Sequence, residues 1–323
     1  MGRPSDTMTI PQLIDSPQTA FSFEVLPPLK GNGIDGLRST IQRLREFSPK
    51  YINITTHRAE FVYREVEGGL MERLHTRRRP GTVAVAAALQ REFGIPLVPH
   101  ILCSGFTKED TEYQLLDMQI LGIKNLLLLR GDKAREDMHL RPTPGGHEHT
   151  TDLQVQVNDF NAGRFVDGSP IKVPGQPFSY GVACYPEKHE EAPNLESDFQ
   201  MFKRKVELGA EYGVTQLFYD NAAYFRFVER CRQEGITVPI IPGIKPLTKL
   251  SQLSIVPKTF RCDLPEPLAN ELFRCRTDEE VKQVGIEWAV AQCRELIAFG
   301  VPSIHFYTVS AVDSIAKIAP QIY

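Results

Sequence analysis

The sequence has no hydrophobic run long enough to cross a membrane and no apolar segment near its start. A membrane-spanning helix needs about 20 consecutive apolar residues, and a secretory signal needs a shorter apolar region behind a basic start. Residues 1–20 are instead rich in proline, serine, threonine and aspartate. We therefore expect no membrane association, and we expect residues 1–20 to form a flexible N-terminal tail.

The six cysteines include no Cys-x-x-Cys pair, and the chain has no excess of positive charge. Scattered thiols in a chain of 323 residues argue against a disulfide framework or a zinc site and favour a cytoplasmic setting. Lys and Arg total 37 against 40 Asp and Glu, which argues against a nucleic-acid partner. His147 and His149 lie two apart in a glycine- and proline-rich loop, which is weak evidence for a metal, and we expect none.

What the chain does have is a strand-like run that recurs eight times, each time followed by a helix-like or long connecting segment. The runs are 21–26, 51–55, 96–102, 125–130, 178–185, 214–219, 238–244 and 303–308. This alternation predicts an α/β fold, a (β/α)8 TIM barrel that forms one domain over residues 21–323. Two longer segments, 133–150 after the fourth strand and 163–177 before the fifth, are predicted as loops because they are rich in glycine, proline and charge.

Polar residues follow the predicted strands at the end of the barrel where active sites are assembled. Four leucines at 126–129 give way at once to Arg130, Gly131 and Asp132. A guanidinium and a carboxylate at such an edge are candidates for binding or chemistry, with a helix cap or a surface ion pair as the alternative. A glycine between them would let the backbone approach a flat ligand closely, because it has no Cβ.

Glu24 is the sharpest candidate for a catalytic residue. It alternates with phenylalanines on the first predicted strand, and one face of a barrel strand is the packed interior. A carboxylic acid in such surroundings has a raised pKa, which suits a general acid near neutral pH. The alternative is a structural ion pair with a base that lines the barrel, such as Lys245 or Arg130.

A set of short motifs resembles, in family order, those of the bacterial-type 5,10-methylenetetrahydrofolate reductases. The motifs are Phe21-Ser22-Phe23-Glu24 with Pro27-Pro28, Pro99-His100, Leu129-Arg130-Gly131-Asp132, Tyr185-Pro186-Glu187 with His189 and Glu191-Ala192, Lys203-Arg204-Lys205, Thr215-Gln216-Leu217-Phe218-Tyr219-Asp220, Ile241-Pro242-Gly243-Ile244 and His305-Phe306-Tyr307-Thr308. Each motif is weak alone, but the ordered set covers nearly the whole chain and is specific.

The resemblance implies an enzyme with bound FAD on a (β/α)8 barrel. NADH or NADPH would reduce the flavin, which would in turn reduce 5,10-methylenetetrahydrofolate to 5-methyltetrahydrofolate and so supply methionine synthesis. The nicotinamide and the folate would use the same flavin face in turn, giving ping-pong kinetics. We also expect a homo-oligomer.

The resemblance assigns roles to residues of this sequence. Glu24 would protonate the folate ring nitrogen and open the five-membered ring, and Asp132 would lie beside the flavin and the pterin. Asp132, Gln216 and Gln252 would contact the folate. Flavin contacts would come from Thr55, His100, Arg130, Gly131, Asp132, Thr150, Tyr185, His189, Ala192, Asp198, Arg204 and Lys205. The adjacent cations Arg204 and Lys205 suit a pyrophosphate.

The chain departs from the family pattern at several of these positions. Thr56-His57-Arg58 replaces aromatic and small residues, Val25-Leu26 replaces Phe-Phe, Met201 replaces a polar flavin contact, and Ala311 replaces a substrate-contacting arginine. Another flavin barrel, such as a proline dehydrogenase, is one alternative, and the setting of Glu24 argues against it. A catalytically silent homologue that serves as a folate-binding or partner subunit is the other. It predicts the loss of residues such as Glu24 and Asp132, which are present.

Overall fold

Nine parallel strand segments form one sheet that curves round into a barrel. The computed structural model of the chain describes residues 8–132, 140–309 and 311–323. The strands are β1 (Ala20–Val25), β2 (Tyr51–Ile54), β3 (Glu60–Val66), β4 (Leu70–Thr76), β5 (Leu97–Leu102), β6 (Asn125–Leu129), β7 (Ser179–Cys184), β8 (Tyr212–Thr215), β9 (Ile240–Ile241), β10 (Gly243–Ile244) and β11 (Ser303–Tyr307). The parallel sheet has the order β10-β11-β1-β2-β5-β6-β7-β8-β9, and β3 and β4 form a separate hairpin.

The seventh barrel strand is divided into β9 and β10 by Pro242. β9 pairs with β8, whereas β10 pairs with β11, so residues 240–244 join the two sides of the sheet. Proline has no backbone N–H and so cannot complete a central ladder. Its carbonyl still accepts a bond of 3.0 Å from the His305 backbone N–H. With β9 and β10 counted as one strand, all eight predicted strands are present, and the predicted (β/α)8 fold is confirmed.

One short helix precedes the first barrel strand, and the other helices follow the strands and surround them. They are α1 (Ile10–Ile14), α2 (Asp35–Leu44), α3 (Thr82–Phe93), α4 (Lys108–Ile120), α5 (Thr150–Asn161), α6 (Leu195–Glu207), α7 (Asn221–Gln233), α8 (Gln252–Phe260), α9 (Glu266–Arg274), α10 (Asp278–Phe299) and α11 (Val312–Ile318). Thr277 opens α10 through a reciprocal pair of bonds with Glu280, and Gly300 ends it with a φ of 89°. Across the described residues, no helix is both long and apolar enough to span a bilayer.

Alternation along the strands separates the outer core from the barrel interior. On β1, Phe21, Phe23 and Val25 belong to the large cluster that packs beneath the helices. Ala20 belongs to the smaller interior cluster, so the alternate residues Ser22 and Glu24 also face inward. The strand face predicted for Glu24 is therefore the barrel interior.

A short helix closes the N-terminal end of the barrel. Thr9 caps α1, and Ile10 and Ile14 are buried in the interior cluster, against residues that include Tyr51 at the start of β2. The Asn125 side chain donates to the Met8 carbonyl at 2.9 Å. The prediction of a flexible tail over residues 1–20 is therefore wrong for α1, because its two isoleucines pack into the barrel; residues 1–7 lie outside the described part of the chain.

The hairpin of β3 and β4 is not predicted by the sequence. It follows β2, and its strands pair from Glu60 with Thr76 to Val66 with Leu70. Of the two predicted loops, 163–177 contains only an isolated bridge between Arg164 and Pro170. The other, 133–150, is described from residue 140 onward, where it leads into α5, and residues 133–139 lie outside the described part.

Candidate active site

A cavity of about 690 Å³ lies at the C-terminal ends of the barrel strands. Its volume falls in the range of sites for cofactors and small molecules. It contains nearly all of the predicted site residues. Those that line it are Glu24, Thr55, His100, Arg130, Gly131, Asp132, Thr150, Tyr185, His189, Ala192, Asp198, Lys205 and Gln216.

Glu24 lies on the interior wall of this cavity near the end of β1. Its register neighbours are Asn53 on β2 and Tyr307 on β11. Only 8% of the residue is exposed. Burial raises the pKa of Glu24 to about 7, although the positive charge of Lys245 opposes the rise and the negative charge of Asp132 adds to it. A carboxylic acid that titrates near neutral pH can both give and regain a proton, which is what general acid catalysis requires.

The turn after β6 has a backbone that only glycine suits. Gly131 has a φ of +87°, and a Cβ there would lie 2.1 Å from Ser104 Oγ. The close contact that the structure shows at Gly131 is with Ser104, in the turn after the neighbouring strand β5, and the approach to a flat ligand stays a prediction. Arg130 is held on both sides, because Nε donates to the Glu148 carbonyl at 3.0 Å and the guanidinium pairs with Glu191. Asp132 follows at the cavity wall.

The segment after β7 and helix α6 form the adjoining wall. The Tyr185 and His189 rings meet edge to face with centroids 4.8 Å apart. The His189 backbone N–H donates to Asp198 Oδ2 at 3.0 Å, which ties this segment to the start of α6. Lys205 Nζ donates to the Ala183 carbonyl at 3.1 Å, and burial lowers the pKa of this lysine. The wall therefore presents a buried lysine side chain to the cavity.

The cavity floor carries polar groups, and among them the sequence analysis assigned a role only to His100. Asn53 Nδ2 lies 3.1 Å from His100 Nε2, and His305 Nδ1 lies 3.0 Å from Ser22 Oγ. Burial lowers the pKa values of His100 and His305 to about 3, so both rings are neutral at physiological pH. Asn53 Oδ1 and His305 Nε2 have no hydrogen-bond partner among the described residues. In the sequence, the signal that could have identified Asn53 and His305 was a polar residue at an inward-facing position of an otherwise apolar strand.

Arg204 and Gln252 are the two predicted site residues that do not line the cavity. The Arg204 side chain is 61% exposed and lies 3.6 Å from Glu207. Gln252 begins α8, where its Oε1 accepts bonds from the backbone N–H groups of Thr248 at 2.6 Å and Lys249 at 3.0 Å. The structure thus shows a solvent-facing cation and an amide that holds the turn before α8, and a ligand-binding role for either stays a prediction.

The described residues contain no group of three or more His, Cys, Asp or Glu side chains placed to hold a metal ion. In the loop for which a metal was considered, His147 is buried and its Nε2 lies 2.5 Å from Gln156 Oε1. Among the departures from the family pattern, Met201 lines the cavity, whereas Ala311 is buried in the outer core. The chemistry available to the cavity is that of a buried acid, a second carboxylate and several cations.

Comparison with known proteins decides the family. The family model described as methylenetetrahydrofolate reductase matches residues 9–323. The chain belongs to the methylenetetrahydrofolate reductase family. Similar members include "5,10-methylenetetrahydrofolate reductase" of Escherichia coli, 28% identical over 92% of this chain and 88% of that protein. "Methylenetetrahydrofolate reductase (NADH) 1" of Arabidopsis thaliana is 31% identical over 94% of this chain and 48% of that protein.

The chain spans about half the length of the eukaryotic family members that it matches, 48% for the Arabidopsis protein. A solved structure with the same fold is that of a protein from Clostridium thermocellum, which binds two copies of 5-methyl-5,6,7,8-tetrahydrofolic acid. The two share 14% sequence identity over 96% of both chains, with a TM-score of 0.58. At this level of sequence identity, the structural similarity shows a shared fold and nothing more. Membership of the family was predicted from the sequence motifs and is confirmed.

Proposed function

We propose that the chain is a flavoprotein oxidoreductase that uses NADH or NADPH to reduce 5,10-methylenetetrahydrofolate to 5-methyltetrahydrofolate. The observation that carries the proposal is the placement of Glu24. A buried carboxyl group with a pKa near 7 lies in the main cavity of a protein from this family. Reduction of the methylene group requires that a ring nitrogen be protonated, and Glu24 has the burial and the acidity for that step.

The residues present fit a bound FAD. The cavity has the volume of a cofactor site, and two buried atoms on its floor, Asn53 Oδ1 and His305 Nε2, have no partner among the described residues. Arg130 after β6 and Lys205 beside the adjacent β7 bring positive charge to neighbouring parts of the wall, and Thr150 brings the first turn of α5, a favourable place for a phosphate. When bound, FAD supplies hydride transfer from the nicotinamide to the folate.

The chain's own residues would prepare the folate for reduction. Glu24 would give its proton to the ring nitrogen that holds the methylene bridge, so that the bridge opens to a more electrophilic iminium. Asp132 would orient the pterin from the turn after β6. Gln216 is fixed by a bond of 2.9 Å from the Leu217 N–H to its Oε1, and this holds the side-chain amide for a contact with the folate. The cavity walls would exclude water from the reacting atoms.

An anaerobic visible spectrum of the purified protein tests this proposal. We expect flavin absorption bands that bleach when NADH or NADPH is added and return when methylenetetrahydrofolate is added. A protein that stays colourless after incubation with FAD would refute flavin binding and favour the silent homologue. Bands that bleach with NAD(P)H but do not return with methylenetetrahydrofolate would refute the folate reaction alone.

A further inference from the structure

We propose that Lys245 is a positioning residue for proton donation: its ammonium group stabilises the carboxylate that Glu24 becomes when it gives up its proton. The inference rests on the proposed function, because it assigns a task within the proton-transfer step. It concerns a lysine that the family motifs do not include.

The barrel register places Lys245 and Glu24 at the same level on neighbouring strands. Glu24 on β1 is alongside Tyr307 on β11, and Ile244 on β10 is alongside Phe306. Lys245 follows Ile244 directly and so comes level with Tyr307. Glu24, Tyr307 and Lys245 all line the cavity, and they form one row across three adjacent strands.

Tyr307 is the middle residue of that row, and its side chain reaches across the barrel interior to β8. The Tyr307 hydroxyl donates to the Thr215 carbonyl on β8 at 2.6 Å. To reach it, the ring crosses the divided seventh strand at Gly243, where a Cβ would lie 2.6 Å from the ring and from the hydroxyl oxygen. The absence of a side chain at Gly243 thus makes room for the ring. Since Gly243 is two residues before Lys245, the ring extends into the layer below the lysine. Above that layer, Glu24 and Lys245 are near enough for each charge to act on the pKa of the other.

Lys245 is itself held in place. Its Nζ donates to the Val309 carbonyl at 2.8 Å, just beyond the end of β11. An ammonium group has three N–H donors, so this bond anchors the side chain and uses one of them. Val309, which accepts this bond, lies two residues after Tyr307. The bond therefore fixes the position of the Lys245 side chain relative to β11 and Tyr307.

The charges around the two groups are few. Among the described residues, the charged groups that act on the pKa of Glu24 are Lys245, which lowers it, and Asp132, which raises it. Burial lowers the pKa of Lys245, and Glu24 opposes that effect. Tyr307 stays neutral because burial raises the pKa of its phenol far above the ordinary value. Without Lys245, the new carboxylate would face burial and the charge of Asp132 with no compensating cation.

The chemical consequence concerns the strength of Glu24 as an acid. The carboxyl proton passes to the folate nitrogen, and the electron pair of the broken O–H bond stays on the carboxylate. An ammonium group at this position stabilises that product and makes the donor stronger. Solvent protons restore the carboxyl group, and the lysine keeps its own proton throughout.

An infrared pH titration of the Glu24 carboxyl group in the holoenzyme tests the inference. The protonated carboxyl band is assigned as the band missing from Glu24→Gln. We expect Lys245→Met to raise the titration midpoint by about 1 unit or more. Lys245→Gln, which keeps a donor for the Val309 carbonyl, should raise it as well, and Lys245→Arg should keep it near the wild-type value. The exposed Lys249→Met is the matched control on the same segment and should leave the midpoint unchanged.

An unchanged or lowered midpoint in Lys245→Met, or in Lys245→Gln if the methionine variant does not fold, would overturn the inference. The titration needs neither nicotinamide nor folate, so it remains decisive even if the wild-type protein fails to reduce methylenetetrahydrofolate. If the proposed function holds, the alkaline limb of folate-dependent flavin reoxidation should move upward by the same amount, with a lower maximal rate. Reduction by NADH should keep its wild-type pH profile.

Discussion

Replacing Glu24 should stabilise the protein at alkaline pH and much less at acidic pH. Burial raises the pKa of Glu24 from 4.5 to about 7. Between these values the folded protein holds a proton that the unfolded chain has released, so the free energy of unfolding falls as the pH rises. Above pH 7 the folded state must bury the carboxylate, and the decrease in the free energy of unfolding is complete. The difference between 4.5 and about 7 corresponds to about 3 kcal/mol.

Glu24→Gln resembles the protonated carboxyl group at every pH and removes this cost. Relative to wild type, we expect the variant to gain up to about 3 kcal/mol more at pH 8.5 than at pH 5. In a chain of 323 residues that gain corresponds to a rise in Tm of about 4–5 °C. Thermal or urea unfolding of both proteins at the two pH values measures it.

A surface carboxylate provides the control. Glu229 is exposed on α7, and Glu229→Gln should give the same small change at both pH values. The reasoning about Glu24 is refuted if Glu24→Gln changes stability equally at pH 5 and pH 8.5, or if it destabilises the protein more at pH 8.5.

Three further predictions concern the walls of the cavity. Asp132→Asn removes a negative charge from the flavin's surroundings and should raise its reduction potential on the order of 30 mV, measured against a reference dye. Lys205→Gln should weaken FAD binding at least about tenfold, whereas Arg204→Gln should change it less than about twofold, both measured by flavin fluorescence on dilution. Gly131→Ala should cost about 1–3 kcal/mol of stability in urea unfolding, because a side chain there meets Ser104 at a positive φ.

Each of these predictions has an outcome that counts against it. An unchanged potential in Asp132→Asn would mean that this carboxylate is not near the ring. Equal losses of FAD affinity in the Lys205 and Arg204 variants would contradict the placement of the two side chains on different sides of α6. Full stability in Gly131→Ala would show that the turn after β6 can adopt another backbone.

The barrel was predictable because its strands are buried on both faces. Parallel strands of this kind appear in the sequence as short apolar runs, and the leucines of β6 are the clearest case. The hairpin of β3 and β4 escaped prediction because charged residues interrupt it, with Arg64 facing Glu72 across the strands at 2.6 Å. The α1 helix escaped because five residues are too few for a periodic pattern, and its stability comes from burial in the barrel.

The place of a residue in the cavity was predictable where an ionisable residue follows or ends a strand, as for Glu24, Arg130 and Asp132, and their chemical roles stay predictions. It was less predictable where the direction of the side chain decides. Successive residues of a helix point about 100° apart, so Lys205 can face the cavity while Arg204 faces solvent. Local sequence does not show this, because it depends on which face of α6 packs against the barrel.

The positions of the polar groups on the cavity floor and of Lys245 depend on contacts between segments that are distant in the sequence. His305 meets Ser22 across 283 positions of the sequence, and Lys245 meets Val309 across 64. The sequence named Lys245 only as a possible partner for Glu24, and the strand register was needed to place the two side chains in one row.

The central claim, that Glu24 is the acid of a folate-reducing flavoprotein, is tested most directly by two half-reactions measured in one protein. Wild type and Glu24→Gln are first reduced anaerobically with NADH and then mixed rapidly with methylenetetrahydrofolate. We expect equal rates of reduction by NADH, one 5-methyltetrahydrofolate per flavin in the wild type, and reoxidation at least about 100-fold slower in Glu24→Gln. Reoxidation of Glu24→Gln by methylenetetrahydrofolate at the wild-type rate would contradict the account.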